Sequence, residues 1–415
     1  MEERPGGLKT ARIEPLAVFL FFFNTFLLPQ GITFTLLLTP VWLYLLHREG
    51  RMHLVRYMLI PFAAYAAIHL WQGADLFYYV VSATLLFCIG ICCIAMWSYI
   101  RDGDIDYDYL FKRIVLLNFL FTLLSLCLLF LPPVKPLVWY IMSMSEGMRI
   151  IPRLKLFTYE ASHYSYLLAP LVIYFYVKAM VGRADNVWPT LFMVTVPLLL
   201  SLSFGVLACL LLSGMIFVLV YFKTIFNTPR KRWLLLLVLC LILVAGYILY
   251  SYFPENMLMV RFRNMLEGKD TSARGRTYES FILAHKIIAQ KSLLWGIGPG
   301  QLKLSGRNII VQYYFYSKIP ETIRIPNACA ETIVCFGYVG FAIRIGLQLL
   351  LFYTGKVFRS PYRLWLFLFL FLFQFRGSYI TNVTEYVLWM LACSPALHFF
   401  AREGAGQTSV KTSRS

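Results

Sequence analysis

Residues 77–100 read FYYVVSATLLFCIGICCIAMWSYI, and none of these 24 side chains is charged. A helix rises about 1.5 Å per residue, so about 20 apolar residues cross the ~30 Å hydrocarbon core of a bilayer. Such a segment must satisfy its own backbone N–H and C=O groups, because lipid offers them no partner. The stretch therefore predicts a transmembrane α-helix.

The composition extends this prediction to the whole chain. Hydrophobic residues make up 60% of the 415 positions and charged residues only 14%, whereas soluble domains carry about 25% charged residues. The mean hydropathy is +0.68. These values exclude an ordinary soluble domain and predict an all-α integral membrane protein. The nine cysteines fall largely inside apolar runs and lack metal-ligand spacing, which favours a packing role.

About twelve apolar runs divide the sequence, and several are short enough to leave tilted or re-entrant helices open. We predict one polytopic membrane domain, residues 15–400, with a cytoplasmic N-terminus, residues 1–14, and a basic cytoplasmic tail, residues 401–415. The predicted transmembrane helices are residues 15–29, 31–47, 55–72, 77–100, 111–132, 164–182, 188–204, 206–222, 233–253, 328–355, 363–376 and 383–400.

Basic residues alternate from one connection to the next. If the N-terminus is inside, every even-numbered connection contains Arg or Lys, whereas the odd ones near residues 30, 72–75 and 204–205 contain none. This is the distribution that the positive-inside rule expects, and it places both termini in the cytoplasm. Three odd-numbered connections, residues 133–163, 254–325 and 376–385, carry basic residues on the predicted outer side, which calls for a functional explanation.

The largest of these connections, residues 254–325, lies between the ninth and tenth predicted helices and carries eleven Lys/Arg against five Asp/Glu. Its basic excess predicts an anionic, lipid-linked partner, because guanidinium groups pair bidentately with phosphate oxygens. Apolar residues recur at helical spacing in 277–291, so the loop is predicted to be helical in part. The glycines at 296, 298 and 300 suit a diphosphate clamp or, alternatively, only end that helix and allow positive φ.

The connection before the sixth helix has a similar character. Arg149, Arg153 and Lys155 lead to Glu160, where a phosphate could meet cations and a carboxylate could take a hydroxyl proton. The alternative is an interfacial segment that extends its cations to lipid headgroups.

Four polar residues, Glu331, Arg344, Gln374 and Arg376, fall inside or at the edge of predicted membrane helices. Ionisable groups there are costly and indicate function by default. For Arg344, two roles stay open: contact with substrate, or a structural pair with a carboxylate on another membrane helix.

Four short motifs follow one another between residues 149 and 395, and together they resemble the O-antigen polymerase and ligase superfamily. In particular, the chain resembles Wzy-type polymerases of O-antigen, capsule or exopolysaccharide. The motifs are Arg153 followed seven residues later by Glu160; Ser201-Leu202-Ser203-Phe204-Gly205; Gly275-Arg276 followed by Gly296-Ile297-Gly298; and Ile325 to Glu331 followed by Gly337-Tyr338-Val339-Gly340.

Two positions depart from the superfamily's patterns. Ala161 stands where the polymerases have a proline after the glutamate. Pro326 stands where ligases have their catalytic histidine, although Asn327 and Glu331 remain. The resemblance therefore implies a polymerase, with a ligase that transfers finished polymer to lipid A-core as the alternative.

The resemblance implies a metal-independent, cofactor-free glycosyl transfer at the periplasmic face of the bacterial inner membrane. Glu160, as the base, and Arg276 would be catalytic. The remaining implied site residues are the diphosphate-binding Arg149, Arg153, Arg274 and Arg324 and the supporting His163, Asn327, Glu331 and Arg376.

The implied partners are an undecaprenyl-diphosphate-linked oligosaccharide, membrane lipids, a chain-length regulator and a flippase, and nucleic acid is not among them. A second alternative is that the chain is itself a non-enzymatic flippase, which would show inverted repeats; no such repeat is visible in the sequence. A polyprenyl-phosphate-sugar glycosyltransferase would need carboxylates in the first outer loop, and residues 29–31 carry none.

Overall fold

The computed structural model describes residues 13–102 apart from 27 and 29–31, then 105–141, 151–181, 187–226, 267–314 and 323–397 apart from 396, with short pieces between 244 and 264. The predicted terminal segments, residues 1–14 and 401–415, and the ninth membrane helix, residues 233–253, lie wholly or almost wholly outside the described residues. Arg149 does too, so its predicted phosphate contact stays a prediction.

The described residues are helical apart from one pair of two-residue strands and the connections. The helices are α1 (Ile13–Phe23), α2 (Phe34–Leu37), α3 (Thr39–Arg48), α4 (Met52–Trp71), α5 (Leu76–Asp102), α6 (Tyr107–Leu128), α7 (Lys135–Val138), α8 (Ala161–Val181), α9 (Trp188–Leu200), α10 (Phe204–Val220), α11 (Phe222–Ile225), α12 (Thr271–Arg276), α13 (Tyr278–Ile288), α14 (Leu302–Ser305), α15 (Arg307–Tyr314), α16 (Ala328–Thr354), α17 (Pro361–Phe373) and α18 (Val383–Cys393). The strands β1 (Trp139–Tyr140) and β2 (Arg153–Leu154) pair antiparallel, and Val357–Arg359 forms a 3-10 turn.

Five of these helices, α4, α5, α6, α8 and α16, are long and apolar enough to cross a bilayer, and α9, α10, α17 and α18 are shorter apolar helices. On α6, the side chains of Leu116, Leu120 and Leu124 are 50–55% exposed, as expected of side chains that face lipid. The helical, multi-pass membrane class is thus confirmed. The count of twelve membrane helices stays a prediction.

Helix α8 lies at the centre of the helix packing. Within an apolar stretch of 18 residues, 72% of α8 is buried, whereas the share is 11–39% in the other four long helices. Tyr166 of α8 stacks on Phe373 of α17 with ring centroids 4.6 Å apart. Trp365 of α17 stacks in turn on Phe217 of α10, over the surface that Gly214 leaves open. Close packing around α8 fixes the start of this helix, which directly follows Glu160.

The connections sort into two ends of the bundle. Contacts at one end join connections predicted on the outer side, such as Asp75 to Gln301 through two hydrogen bonds of 2.9 and 3.0 Å. Contacts at the other join those predicted inside, such as Lys178 to Asp108 at 2.6 Å. We call the first the site end, where residues 151–160, 201–206, 270–276 and 374–382 meet. These contacts agree with the predicted sides of the connections that they join, and the sides of the other connections stay a prediction.

Helix α16 is broken at Gly337, whose φ of +68° is not helical. The break frees backbone groups, and the segment 293–298 binds them through four hydrogen bonds of 2.9–3.1 Å. The donor and acceptor pairs are Ile297 to Val334, Gly298 to Cys335, Tyr338 to Leu293 and Val339 to Leu294.

Only glycine fits where this segment meets the break. A Cβ on Gly296, which has φ +75°, would lie 2.6 Å from both Gly337 N and Val334 O. A position at positive φ favours glycine, and an added methyl group at Gly296 would also displace the backbone of α16. The glycine-rich turn thus closes the break in α16. Its three glycines adopt positive φ, as the second alternative expected, although the preceding helix α13 already ends at Ile288. The diphosphate clamp stays a prediction.

Candidate functional site

A cavity of about 190 Å³ opens at the site end, and we call it the cationic cavity. Three arginines and one glutamate give its lining a formal charge of +2. Its lining residues are Tyr140, Arg153, Glu160, Ser162, Leu202, Ser203, Phe204, Gly205, Val206, Ala273, Arg276, Phe373, Arg376 and Gly377. Residues from three of the four sequence motifs therefore line one cavity. The fourth motif contacts it from outside, because Asn327 bonds the backbone of Arg276.

Arg153 is held by the strand pair. It lies opposite Tyr140 in the antiparallel register, and its guanidinium carbon is 4.8 Å from the centre of the Tyr140 ring. A cation over an aromatic face at this distance is attracted by the ring's quadrupole. The next residue, Leu154, is fully buried and anchors the strand, so Arg153 presents its charge at a fixed position in the cavity wall.

Glu160 and Arg276 form the ion pair at the centre of the lining. Arg276 Nη2 lies 3.4 Å from Glu160 Oε1, and the side chains are 38% and 21% exposed. Burial alone would raise the pKa of Glu160, but the charge of Arg276, a hydrogen bond from Ser162 and the charge of Arg153 hold that pKa below its ordinary value. Glu160 is therefore an ionised carboxylate at neutral pH.

Asn327 holds the backbone of Arg276 in place. Its amide nitrogen donates to Arg276 O at 2.9 Å and to Phe375 O at 2.6 Å, and its oxygen accepts from Ala330 N at 2.9 Å. The last bond caps α16 at its N-terminus. One fully buried amide thus joins the 270s segment, the 374–382 connection and α16.

Arg376 reaches the cavity from the connection between α17 and α18. It lies beside Gly205, where a Cβ would be 3.5 Å from Arg376 Nε. Gly205 belongs to the turn between α9 and α10, in which Leu202 adopts a φ of +44°. The Ser201–Gly205 motif thus forms the wall beside this arginine. Among the described residues, Arg376 has no carboxylate partner.

Arg274 takes a different direction from Arg276. It makes contacts of 2.6 and 2.8 Å with Glu279 Oε1 and donates to Gly268 O at 3.1 Å. It is not among the residues that line the cationic cavity. The predicted phosphate contact of Arg274 stays a prediction, and the structure gives this side chain a partner within its own segment.

Two further predicted residues hold the 374–382 connection. Glu331 Oε2 accepts from Ile380 N at 2.7 Å. The guanidinium carbon of Arg324 lies 5.5 Å from the centre of the Tyr379 ring. Both residues are at the site end, next to the cavity lining.

A second, smaller pocket of about 30 Å³ adjoins the same ion pair, and we call it the polar pocket. It shares Glu160, Ser162, Arg276 and Phe373 with the cationic cavity. Its other lining residues are Tyr159, His163, Tyr166, Pro326, Ser378, Tyr379 and Asn382. His163 is 5% exposed, and its ring lies 4.9 Å from that of Tyr159.

Arg344 has a structural role. It bonds Gln374 Oε1 at 3.0 Å and Thr332 Oγ1 at 3.3 Å, and it pairs with Glu385 of α18. Of its two open roles, the pair with a carboxylate on another membrane helix is confirmed. Gln374 also exchanges two hydrogen bonds of 2.9 Å with Gln348.

Sequence reasoning missed the tyrosines of the site, Tyr140, Tyr159 and Tyr379. With 27 tyrosines in the chain, nothing local distinguishes these three from residues of the lipid interface. The one available signal is position, because Tyr159 directly precedes Glu160.

Comparison with protein-family models finds no match for this chain, and comparison with curated proteins finds no similar sequence. Within the part of the chain that the structure describes, no group of three or more His, Cys, Asp or Glu side chains is placed to hold a metal ion. What the site offers is a cluster of arginines around one carboxylate.

Proposed function

We propose that this protein is a polysaccharide polymerase, a glycosyltransferase that joins oligosaccharide repeat units carried on undecaprenyl diphosphate at the periplasmic face of the bacterial inner membrane. One observation carries the proposal. Arg153, Arg276 and Arg376, which are far apart in sequence, line one cavity around Glu160. The order of the short sequence motifs supports it independently.

The charge of the cationic cavity suits a diphosphate diester, which carries about two negative charges. A guanidinium and a phosphate oxygen about 4 Å apart attract each other by about 4 kcal/mol at an effective dielectric constant near 20. Arginines fixed in advance also need no reorganisation when charge develops on a leaving group. Arg153, held by its strand, and Arg276, held by Asn327, meet that condition.

The proposed reaction is a substitution at the anomeric carbon of the growing chain. The acceptor hydroxyl oxygen forms a bond to that carbon while the bond to the diphosphate oxygen breaks, and its electron pair leaves with the diphosphate. Glu160, ionised at neutral pH, accepts the hydroxyl proton as a general base. The arginines stabilise the additional negative charge of the diphosphate, so no metal ion or cofactor is needed.

The lipid part of the substrate also finds a suitable environment. An apolar cavity of about 190 Å³ lies between α1, α3, α5, α6, α8 and α18. Leu167 and Val383 line it, and the residues that precede them, Tyr166 and Asn382, line the polar pocket. An isoprenoid chain could follow α8 and α18 from the site end into this cavity, which favours a lipid-linked sugar over a soluble one.

A ligase differs from a polymerase in its acceptor. Pro326 lines the polar pocket and carries no titratable group, so a ligase mechanism that depends on a histidine at position 326 lacks that histidine. This observation favours the polymerase. A non-enzymatic flippase would transport the same lipid-linked sugars without a carboxylate poised for proton transfer.

The decisive experiment deletes the gene in its own host and separates the lipid-linked and surface glycans on gels. A polymerase predicts single repeat units on undecaprenyl diphosphate or on lipid A-core. Full-length polymer on undecaprenyl diphosphate beside a bare core would mean a ligase, and repeat units retained in the cytoplasmic leaflet would mean a flippase.

Complementation of the deletion tests the site itself. Arg276→Ala should abolish long polymer while the protein still inserts in the membrane, because the cavity loses its central cation. Arg307→Ala is the matched control, since Arg307 is an exposed residue of the same loop that does not line the cationic cavity. Long polymer in cells with the Arg276 variant would remove this residue from the mechanism.

A further inference from the structure

The polar pocket differs in chemistry from the cationic cavity that it adjoins. Beyond the shared Glu160 and Arg276, its lining supplies hydroxyl, imidazole and amide groups and no further charge. Tyr159, Tyr379, Ser378 and Asn382 contribute the neutral polar groups. A wall of this kind suits an uncharged ligand that carries hydroxyl groups, whereas the cationic cavity suits an anion.

His163 supplies an unexplained group in this pocket. Its Nε2 atom is buried and has no hydrogen-bond partner among the described residues. Buried polar atoms are hydrogen-bonded in the great majority of cases, and an exception in a native structure requires an explanation. The residue is 95% buried, and its ring packs against that of Tyr159 at a tilt of 31°, so its ring position is fixed by packing.

The size of the pocket limits what can reach that nitrogen. A volume of about 30 Å³ exceeds the 10–15 Å³ or so that one water-sized group needs, but it is far below the roughly 300 Å³ of a small-molecule site. One hydroxyl group fits, while a whole sugar ring must remain outside, toward the cationic cavity.

We propose that the polar pocket is the acceptor subsite, which binds a single sugar hydroxyl, and that His163 Nε2 is the hydrogen-bond partner of that hydroxyl. The inference rests on the proposed polymerase function. It divides the site at the Glu160–Arg276 pair, with the diphosphate of the donor on one side and the acceptor hydroxyl on the other.

The chemistry of a hydroxyl assigns the proton positions. A hydroxyl has one O–H donor and two acceptor lone pairs. If its proton points at the Glu160 carboxylate, Nε2–H of His163 donates to one lone pair, and the other remains to attack the anomeric carbon. The proton passes to Glu160, and the diphosphate leaves with the electron pair of the broken bond. His163 itself exchanges no proton in this step.

The test compares His163→Phe with His163→Gln in full-length protein reconstituted in liposomes. Phenylalanine keeps the ring contact with Tyr159 and removes the nitrogen, whereas glutamine restores a hydrogen-bonding group. The substrate is the undecaprenyl-diphosphate-linked repeat unit extracted from the deletion strain, and inorganic diphosphate serves as a competitive probe of the cationic cavity. His285→Phe is the control, because His285 bonds Tyr338 outside both cavities.

We expect His163→Phe to raise the apparent KM for the repeat unit about tenfold, the loss expected for one buried hydrogen bond. The inhibition constant of inorganic diphosphate should stay within about twofold of wild type, and His163→Gln should recover most of the affinity. An unchanged KM, or a parallel rise in KM and in the inhibition constant, would overturn the assignment of His163. If wild-type liposomes make no polymer, the proposed function itself fails.

Discussion

Replacing Asn327 by alanine should cost this protein about 3 kcal/mol of stability and most of its activity. The side chain makes three buried hydrogen bonds, of 2.9, 2.6 and 2.9 Å, to Arg276 O, Phe375 O and Ala330 N. An N-cap contributes about 1 kcal/mol and a buried hydrogen bond about 1 kcal/mol net. Alanine removes one cap and two such bonds, and these three losses add up to about 3 kcal/mol.

The matched control is Asp106→Ala. Asp106 caps α6 through Tyr109 N at 3.0 Å and is exposed, so its loss should cost only about 1 kcal/mol. Unfolding of the purified variants in mixed detergent and dodecyl sulfate micelles gives both free energies. Polymer length in the complemented deletion strain gives the effect on activity, because Arg276 loses the bond that holds its carbonyl.

A third variant separates the two roles of Asn327. Asn327→Asp keeps the oxygen that caps α16 but places a second oxygen against the carbonyls of Arg276 and Phe375, so we expect it to be no more stable than Asn327→Ala. If Asn327→Ala and Asp106→Ala cost the same, or if Asn327→Asp matches wild type, Asn327 is only a helix cap and does not hold Arg276 in place.

Three other predictions concern the helix break, the buried ion pair and pH. Gly337→Ala should destabilise the protein by more than about 2 kcal/mol, because φ is +68° there and the added Cβ would clash with the 293–298 segment. Gly346→Ala in the same helix is the control. Its Cβ would meet nothing within 4 Å, so it should be neutral or slightly stabilising in the same unfolding assay. Glu385→Ala should cost about 3–5 kcal/mol by leaving the Arg344 charge buried, and Arg344→Met should recover part of that loss in the double variant; equal, additive losses would contradict the pairing. Since the pKa of Glu160 is held below its ordinary value, initial polymerisation rates in liposomes should be level from neutral pH down to about pH 5 and fall only as the pH drops through the lowered pKa, where the carboxylate is protonated. The same group stabilises the fold above its unfolded pKa and loses that contribution over the same acid range; a rate that already falls between pH 7 and 6 would show that another group limits the reaction.

The class of the fold followed from local sequence. Whether a segment such as 77–100 crosses a bilayer depends on its own length and apolar content, so composition and run length suffice. Charge in each short connection is also a local property, so the sequence predicts on which side of the membrane each connection lies. Which side of the membrane each end faces stays a prediction, as does the number of membrane helices.

The site was only partly predictable. Glu160, Arg276 and Arg153 were singled out by motif, and the structure brings them together in one cavity. Arg274 and Arg276 look equivalent in sequence, yet one pairs with Glu279 and the other with Glu160. Two residues apart at the end of a short helix, they point in different directions, and no pattern of residue types encodes that difference.

By itself, the sequence determined that the chain is a helical membrane protein with basic segments gathered between its spans, because helix formation in lipid depends on neighbouring residues. Tertiary structure alone decided that the glycine-rich turn closes the break at Gly337 and that Asn327 joins three segments of the site. These contacts link residues that lie 37 to 51 positions apart in the sequence. Their geometry is set by how the helices pack. Packing depends on the whole chain, so the repeat of apolar residues within one segment does not predict it.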